Sequence, residues 1–151
     1  MIISTSANRV KERTSEEANE RVRQMTEANI AHYALHPEHI DERLMELDKE
    51  WDIERALQVN AAAAAFTGII LGALSRRWWL LFPAAVTGFL FQHGMQGWCP
   101  PLPIFRRLGM RTVREIEAER YALKAIRGDF KDIPDHSEGV EPAVQATGRL
   151  S

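Results

Sequence analysis

The side chains best suited to chemistry in this sequence are His93, Met95 and Cys99. Imidazole, thioether and thiolate groups all bind soft or borderline metals and haem iron. His93 is the candidate cofactor ligand, because an ionisable side chain in an apolar run is a functional hypothesis by default. His93 and Cys99, however, are six residues apart, and side chains at that spacing on one helix point about 120° away from each other. The alternative for His93 is a neutral imidazole hydrogen-bonded to Gln92, Gln96 or a backbone carbonyl.

Cys99 is the candidate catalytic residue and the only cysteine, so an intrachain disulfide and a cysteine-based metal frame are excluded. As a nucleophile or persulfide carrier it would need a thiolate stabilised by Arg106 or Arg107. The alternative is a small packing residue at a helix end. A thiol relay at Cys99 and metal or haem binding at His93 are therefore kept as alternative functions.

The sequence contains no other pattern that predicts a catalytic or metal site. His32, His36 and His39 are spaced four and three apart, but Pro37 interrupts the helix between them, which favours surface histidines. Neither a glycine-rich phosphate loop nor a Ser/His/Asp pattern is present. A net charge of −2 and a pI near 6.2 give no basic excess for a nucleic-acid partner. We therefore predict no bound cofactor and no metal, and a protein that is not an enzyme.

The element that must position these side chains is an apolar stretch at residues 56–99. Residues 56–75 and 78–99 contain no Asp, Glu, Lys or Arg, and only Arg76 and Arg77 separate them. About 20 apolar helical residues cross the hydrocarbon core of a bilayer. The pattern predicts an all-α protein built on a transmembrane helical hairpin, with the lipid bilayer as a partner. A soluble helical bundle is the alternative, since the first run is rich in alanine.

Small residues and tryptophans mark two kinds of position in this hairpin. Small residues four apart permit close helix contact in lipid, and indole rings favour the membrane interface. The predicted helix-packing residues are Ala64, Gly68, Gly72, Ala84 and Gly88. The predicted interface residues are Trp51, Trp78, Trp79 and Trp98. Packing within the hairpin is the first interpretation of the small residues, and a homodimer seam is the second.

The basic residues near the hairpin predict its orientation. Those near its outer ends are Arg43, Lys49, Arg55, Arg106, Arg107, Arg111 and Arg114. The turn contains only Arg76 and Arg77. The positive-inside rule then predicts a multi-pass protein with both termini in the cytoplasm.

The flanking segments are polar. We expect a mobile leader at 1–14, amphipathic helices at 15–55, an extended proline-rich interfacial segment at 100–111, an amphipathic helix at 112–130 and a disordered tail at 131–151. In the helix before the hairpin, Ile40, Leu44, Leu47 and Trp51 form an apolar seam. The helices before and after Asp52 are expected to be continuous, or bent near residues 52–55.

From Asp52 to Thr112 the chain resembles a family of two-helix membrane domains. The similar features are Arg55 before the first span, glycines in both spans, a Trp-rich turn, Cys99-Pro100, and Leu108-Gly109 followed by Thr112. The family is the two-helix inner-membrane domain of unknown function that includes the transmembrane domain of the rhodanese YgaP. The resemblance implies a bacterial inner-membrane location and dimerisation through the hairpin. This chain lacks a rhodanese domain and a cysteine loop of that type.

Taken together, these features predict a non-enzymatic inner-membrane protein. It would be an oligomeric anchor or accessory subunit that presents amphipathic helices to a partner, either a second copy of itself or a membrane protein complex. No nucleic acid is expected among its partners.

Overall fold

A computed structural model describes residues 9–131 of the chain, and every regular element in that part is a helix. This confirms the all-α prediction. The α-helices are α1 (Arg9–Glu12), α2 (Glu16–Leu35), α3 (Ile40–Lys49), α4 (Ile53–Leu74), α5 (Leu81–Gln96), α6 (Leu102–Arg107) and α7 (Val113–Arg127). Two short 3-10 helices, Pro37–His39 and Arg77–Leu80, precede α3 and α5.

The described chain divides into two compact units. Unit 1 contains residues 9–22 and 51–114, and unit 2 contains residues 23–50 and 115–131. The terminal ranges 1–8 and 132–151 lie outside the described residues, and with them most of the predicted leader and tail. Within the predicted leader, the described residues Arg9–Glu12 form α1.

A break in the backbone separates α3 from α4, where the sequence favoured one long helix or a small bend. Glu50 and Asp52 both have extended conformations, with ψ of 130° and 158°. The Asp52 side chain then accepts a hydrogen bond of 2.9 Å from the backbone N–H of Arg55. An aspartate N-cap of this kind satisfies one of the open N–H groups of a first turn. The chain therefore starts a new helix at Ile53.

In unit 1, α4 packs against α5 along a stripe of small side chains. On α4 the buried or half-buried positions of the apolar run include a series spaced three or four residues apart, Leu57, Ala61, Ala64, Gly68 and Gly72, with Ala56 and Ala65 beside it. On α5 the matching positions are Pro83, Val86, Leu90 and His93. Both spacings are those of one helix face.

α5 is shorter than the second predicted span. It has 16 residues, because the chain leaves α4 through a 3-10 helix and ends α5 at Gly97, whose φ of +74° is left-handed. Within the described chain, one candidate span is long and apolar enough, by length and composition, to cross a membrane; it lies in the stretch Pro37–Leu74, which includes the break before α4, and α4 supplies its apolar part. A single such helix is weak evidence for a membrane protein, since core helices of soluble proteins also meet these criteria.

The proline-rich segment after α5 is not extended, so that prediction was wrong. Residues Leu102–Arg107 form α6, with Pro101 at the N-cap and Pro103 in the first turn. The first N–H groups of a helix have no partner within the helix, so prolines there remove no hydrogen bond. Leu102 is fully buried and Phe105 packs on the same apolar cluster, whereas Ile104 is exposed.

Unit 2 has its own apolar core, formed by α3 and α7. It contains Ile40, Leu44, Leu47, Ile116 and Leu123, with Tyr33 packed against them. Three of the four seam residues predicted for the helix before the hairpin are thus buried. Trp51, the fourth, lies beyond the end of α3 and is exposed.

Candidate functional site

The start of α4 and the end of α5 are joined by Arg9 of α1. One guanidinium nitrogen of Arg9, Nη2, lies 3.2 Å from Oε1 of Glu54, and the other, Nη1, donates a 2.9 Å hydrogen bond to the carbonyl of Gly94. A Cβ added to Gly97 would lie 2.6 Å from Cβ of Arg9. Glycine at position 97 therefore supplies both the left-handed turn and the space for α1.

His93 is buried beside this ion pair. It is 6% exposed, and neither ring nitrogen has a hydrogen-bond partner among the described residues. The charges of Arg9 and Glu54 both act on the imidazole. A buried polar group without a partner costs about 1–3 kcal/mol and calls for an explanation. The expected hydrogen bonds from Gln92 and Gln96 are not formed.

Cys99 has a different, apolar environment. It is buried in a cluster with Val10, Ile53, Leu57 and Leu102. Arg106, one of the two arginines expected to stabilise its thiolate, instead donates hydrogen bonds to Asn19 Oδ1 at 2.8 Å and to the carbonyl of Met110 at 3.0 Å. An apolar cluster favours the neutral thiol, so Cys99 acts here as a packing residue.

The remaining metal candidates form no cluster. Among the described residues, no group of three or more His, Cys, Asp or Glu side chains could hold a metal ion. His36 Nδ1 lies 2.9 Å from the carbonyl of His32, and the rings of the two histidines are tilted by 30° with their centroids 4.7 Å apart. All three histidines around Pro37 are exposed.

The structure separates the predicted packing residues into two groups. A Cβ added to Gly68 would lie 2.7 Å from Cδ of Pro83, and one added to Gly72 would lie 2.5 Å from Cδ2 of Leu80. Ala64 is half-buried on the same stripe. Ala84 and Gly88 are exposed, and a Cβ on Gly88 would meet no atom within 4 Å. Their predicted packing within the hairpin was wrong, because α5 turns its Pro83 face toward α4.

The predicted interface tryptophans lie near both ends of the helix pair. Trp78 and Trp79 stack with ring centroids 4.9 Å apart in the turn before α5. Before α4, the guanidinium of Arg55 lies 4.6 Å from the ring centroid of Trp51. Trp98 follows the end of α5 and is also exposed.

A second polar cluster, in unit 2, was not found from the sequence. Glu119 is fully buried and accepts hydrogen bonds from Arg43 Nε at 2.8 Å and from Asn29 at 3.4 Å. Burial lowers the pKa of Arg43, but its hydrogen bonds to Glu119 and Glu46 outweigh that effect, and the net pKa is raised. A charged residue in an amphipathic helix is normally assigned to the solvated face, so only the tertiary contacts reveal the cluster.

Two further arginines form ion pairs in this unit. Arg120 of α7 pairs with Asp48 of α3, and Arg127 pairs with Asp41 and Asp129. Lys124 is fully buried on the same face of α7. Burial lowers the pKa of Lys124, although the nearby charge of Asp129 acts in the opposite direction.

Comparison of the chain with protein-family models, with curated proteins and with solved structures found no match.

Proposed function

We propose that the chain is a non-enzymatic anchor or accessory subunit of a bacterial inner membrane, held there by α4 and α5. The observation that carries this proposal is the exposure of α4. Of its most apolar 18-residue window, 17% is buried. A core helix of a soluble protein would be mostly buried, whereas a lipid-facing helix would not.

The exposed apolar side chains cover both helices. They include Val59, Phe66, Ile69, Ile70, Leu71 and Leu74 on α4 and Leu81, Phe82, Phe89, Phe91 and Met95 on α5. Soluble monomers rarely expose contiguous apolar patches above a few hundred Å². A bilayer is the environment that would cover so many large side chains around the whole helix pair.

The second crossing of a hairpin would use the 3-10 helix together with α5. The 16 residues of α5 rise about 24 Å, and the four residues of Arg77–Leu80 add about 8 Å. The sum matches the hydrocarbon thickness of about 30 Å. We propose that both termini lie in the cytoplasm, as the positive-inside rule predicts for the basic outer ends.

Carbonate extraction tests the membrane location. We expect the full-length protein to remain in the membrane pellet at alkaline pH and to be released only by detergent. A peripheral protein would be released by carbonate, and a freely soluble monomer would contradict the proposal in favour of a soluble bundle.

The polar helices of unit 2 would then contact a partner. Leu35 at the end of α2 and Met45 on α3 are both well exposed there. We expect the protein purified in mild detergent to bring down a membrane complex or further copies of itself. The double variant Leu35→Glu/Met45→Glu should lose that association while staying in the membrane. Identical complexes for the variant and the wild type would contradict a role of this surface.

A cofactor ligand at His93 is the second candidate function, and the buried imidazole without a partner supports it. Its test is the visible absorbance and metal content of protein purified in mild detergent. A bound haem or metal should be present in the wild type, absent in His93→Leu and retained in His36→Leu, which changes an exposed histidine. A wild-type protein without bound haem or metal would exclude this function.

A further inference from the structure

We propose that the turn between α4 and α5 binds the phosphate group of anionic phospholipids through Arg76 and Arg77. This inference rests on the proposed membrane location. It adds the lipid class that the turn recognises and the residues that recognise it.

The turn has a defined shape. α4 ends at Leu74 with Ser75 as its C-cap, Arg76 is extended with φ of −125° and ψ of 136°, and a 3-10 helix follows. The N–H of Trp79 donates a 3.0 Å hydrogen bond to the carbonyl of Arg76. Leu80 then packs into the space that Gly72 leaves on α4. The two arginines are therefore presented on an ordered turn.

The guanidinium groups of this turn are two adjacent exposed charges, whereas the other exposed arginines in the described part of unit 1 that make no side-chain hydrogen bond, ion pair or ring contact, Arg13 and Arg107, stand apart from each other in the chain. Within the described residues, neither the Arg76 nor the Arg77 side chain makes a hydrogen bond, an ion pair or a ring contact, and both are exposed. By contrast, Arg9 pairs with Glu54, and Arg55 lies over Trp51. The turn thus offers two adjacent positive charges that are available to an external anion.

The apolar neighbours of the two arginines favour a lipid over a free anion. Trp78 is 59% exposed and stacks on Trp79, while Leu74 and Leu81 are also largely exposed. Indole rings favour the headgroup level, and leucine side chains favour the acyl chains just below it. A phospholipid presents its phosphate directly above its acyl chains, which matches this order of side chains.

Arginine suits phosphate recognition because its planar guanidinium can donate two parallel hydrogen bonds to phosphate oxygens. Each basic residue near an anionic surface strengthens binding about fivefold. Loss of both charges should therefore weaken binding of an anionic phospholipid about thirtyfold.

The test uses full-length protein in mild detergent, titrated with phosphatidylglycerol or phosphatidylcholine, with bound lipid counted by native mass spectrometry. We expect preferential binding of phosphatidylglycerol to the wild type. The double variant Arg76→Gln/Arg77→Gln should bind it about thirtyfold more weakly. The matched control Arg55→Gln/Arg107→Gln, which loses the same charge from two exposed arginines elsewhere in unit 1, should keep most of the binding.

Three results would overturn the proposal. These are equal binding of phosphatidylglycerol and phosphatidylcholine by the wild type, equal losses in the two double variants, and displacement of the lipid by inorganic phosphate at the lipid's own concentration. Carbonate extraction of the same variants tests the membrane location separately from lipid binding. Release of the wild-type protein by carbonate would refute the membrane anchor. If every variant stays in the membrane, the lipid titration alone supports or refutes lipid binding by the turn.

Discussion

The buried charges of unit 2 show how single residues hold its helices together. Glu119 is fully buried, and the Arg43 side chain that donates to it is mostly buried. The same arginine also contacts Glu46 at 2.9 Å, but that carboxylate is exposed. Removing one member of a buried pair leaves the other charge without compensation, which is far more costly than losing a surface pair.

Glu119→Gln is therefore expected to lower the free energy of unfolding by about 2–4 kcal/mol. Glu46→Gln removes the same charge from the exposed partner of Arg43 and should cost less than about 1 kcal/mol. Thermal unfolding followed by circular dichroism in mild detergent measures both. Equal effects would contradict the importance of burial at Glu119.

Lys124 gives unit 2 a pH dependence at the alkaline end. Burial lowers its pKa in the folded protein below the ordinary value of 10.5, with Asp129 and Glu117 acting against that shift and Arg120 and Arg127 adding to it. Lys124 therefore binds its proton more tightly in the unfolded chain than in the folded protein. Folding stability contributed by this group rises as pH increases from the folded pKa toward 10.5.

We expect the wild type to gain stability relative to Lys124→Met as pH rises from 7 to 10. The measurement is the difference between their unfolding temperatures at each pH, which cancels the titration of shared groups. A constant difference would show that Lys124 keeps an ordinary pKa, and one that moves in favour of the variant would show that its pKa is raised on folding; either would contradict the prediction.

At the scale of elements, the contact between α4 and α5 depends on glycine in one helix and proline in the other. Gly68 lies against Pro83, whose ring cannot rotate away. Gly88 has the same residue type but faces open space. The two positions thus compare a helical glycine in contact with a neighbouring helix and one that faces open space.

Gly68→Ala should destabilise the helix pair by about 1–3 kcal/mol, since the new methyl group overlaps Pro83 and Phe82. Gly88→Ala should be neutral or slightly stabilising in the isolated chain, because alanine is the better helix former. Thermal unfolding in mild detergent compares the two. A loss of oligomers in Gly88→Leu without a loss of helix content would instead place a homodimer seam at that face.

At the scale of the whole molecule, the proposed orientation in a membrane rests on the charges around α4 and α5. Both termini are proposed to be cytoplasmic, which puts Ser75 and the turn on the opposite side. Cys99 is the only native cysteine and is buried. A chain with Cys99→Ser can therefore carry one new reporter thiol at a time.

In that background, Ser75→Cys should react with a membrane-impermeant maleimide added to spheroplasts, and Lys11→Cys should react only after lysis. Both positions are exposed in the structure. Labelling is read as a mass shift on a gel. The opposite pattern would reverse the orientation, and labelling of both residues in intact spheroplasts would contradict a hairpin.

Periodicity and composition alone determined the all-α class and identified Gly68 and Gly72 as small residues for close helix contact. Both follow from local rules, because a 3.6-residue repeat and the missing Cβ of glycine act wherever the helix packs. The apolar run 56–99 also predicted the location proposed for the chain. The length of the helix in its second half was overestimated, because sequence hydropathy does not show where a 3-10 helix or a left-handed glycine interrupts an α-helix.

Only the tertiary structure decided which side chains share a site. Beside His93, Arg9 is hydrogen-bonded to Glu54 and to Gly94, which lie 45 and 85 positions further along the chain, and no local pattern encodes such contacts. The ion pair of Glu119 with Arg43 is also set by the tertiary structure. So are the contact that Pro83, and not Ala84 or Gly88, makes with α4 and the short helix α6 in a proline-rich segment. Each depends on which face a helix turns inward, and that choice minimises the free energy of the whole packed chain.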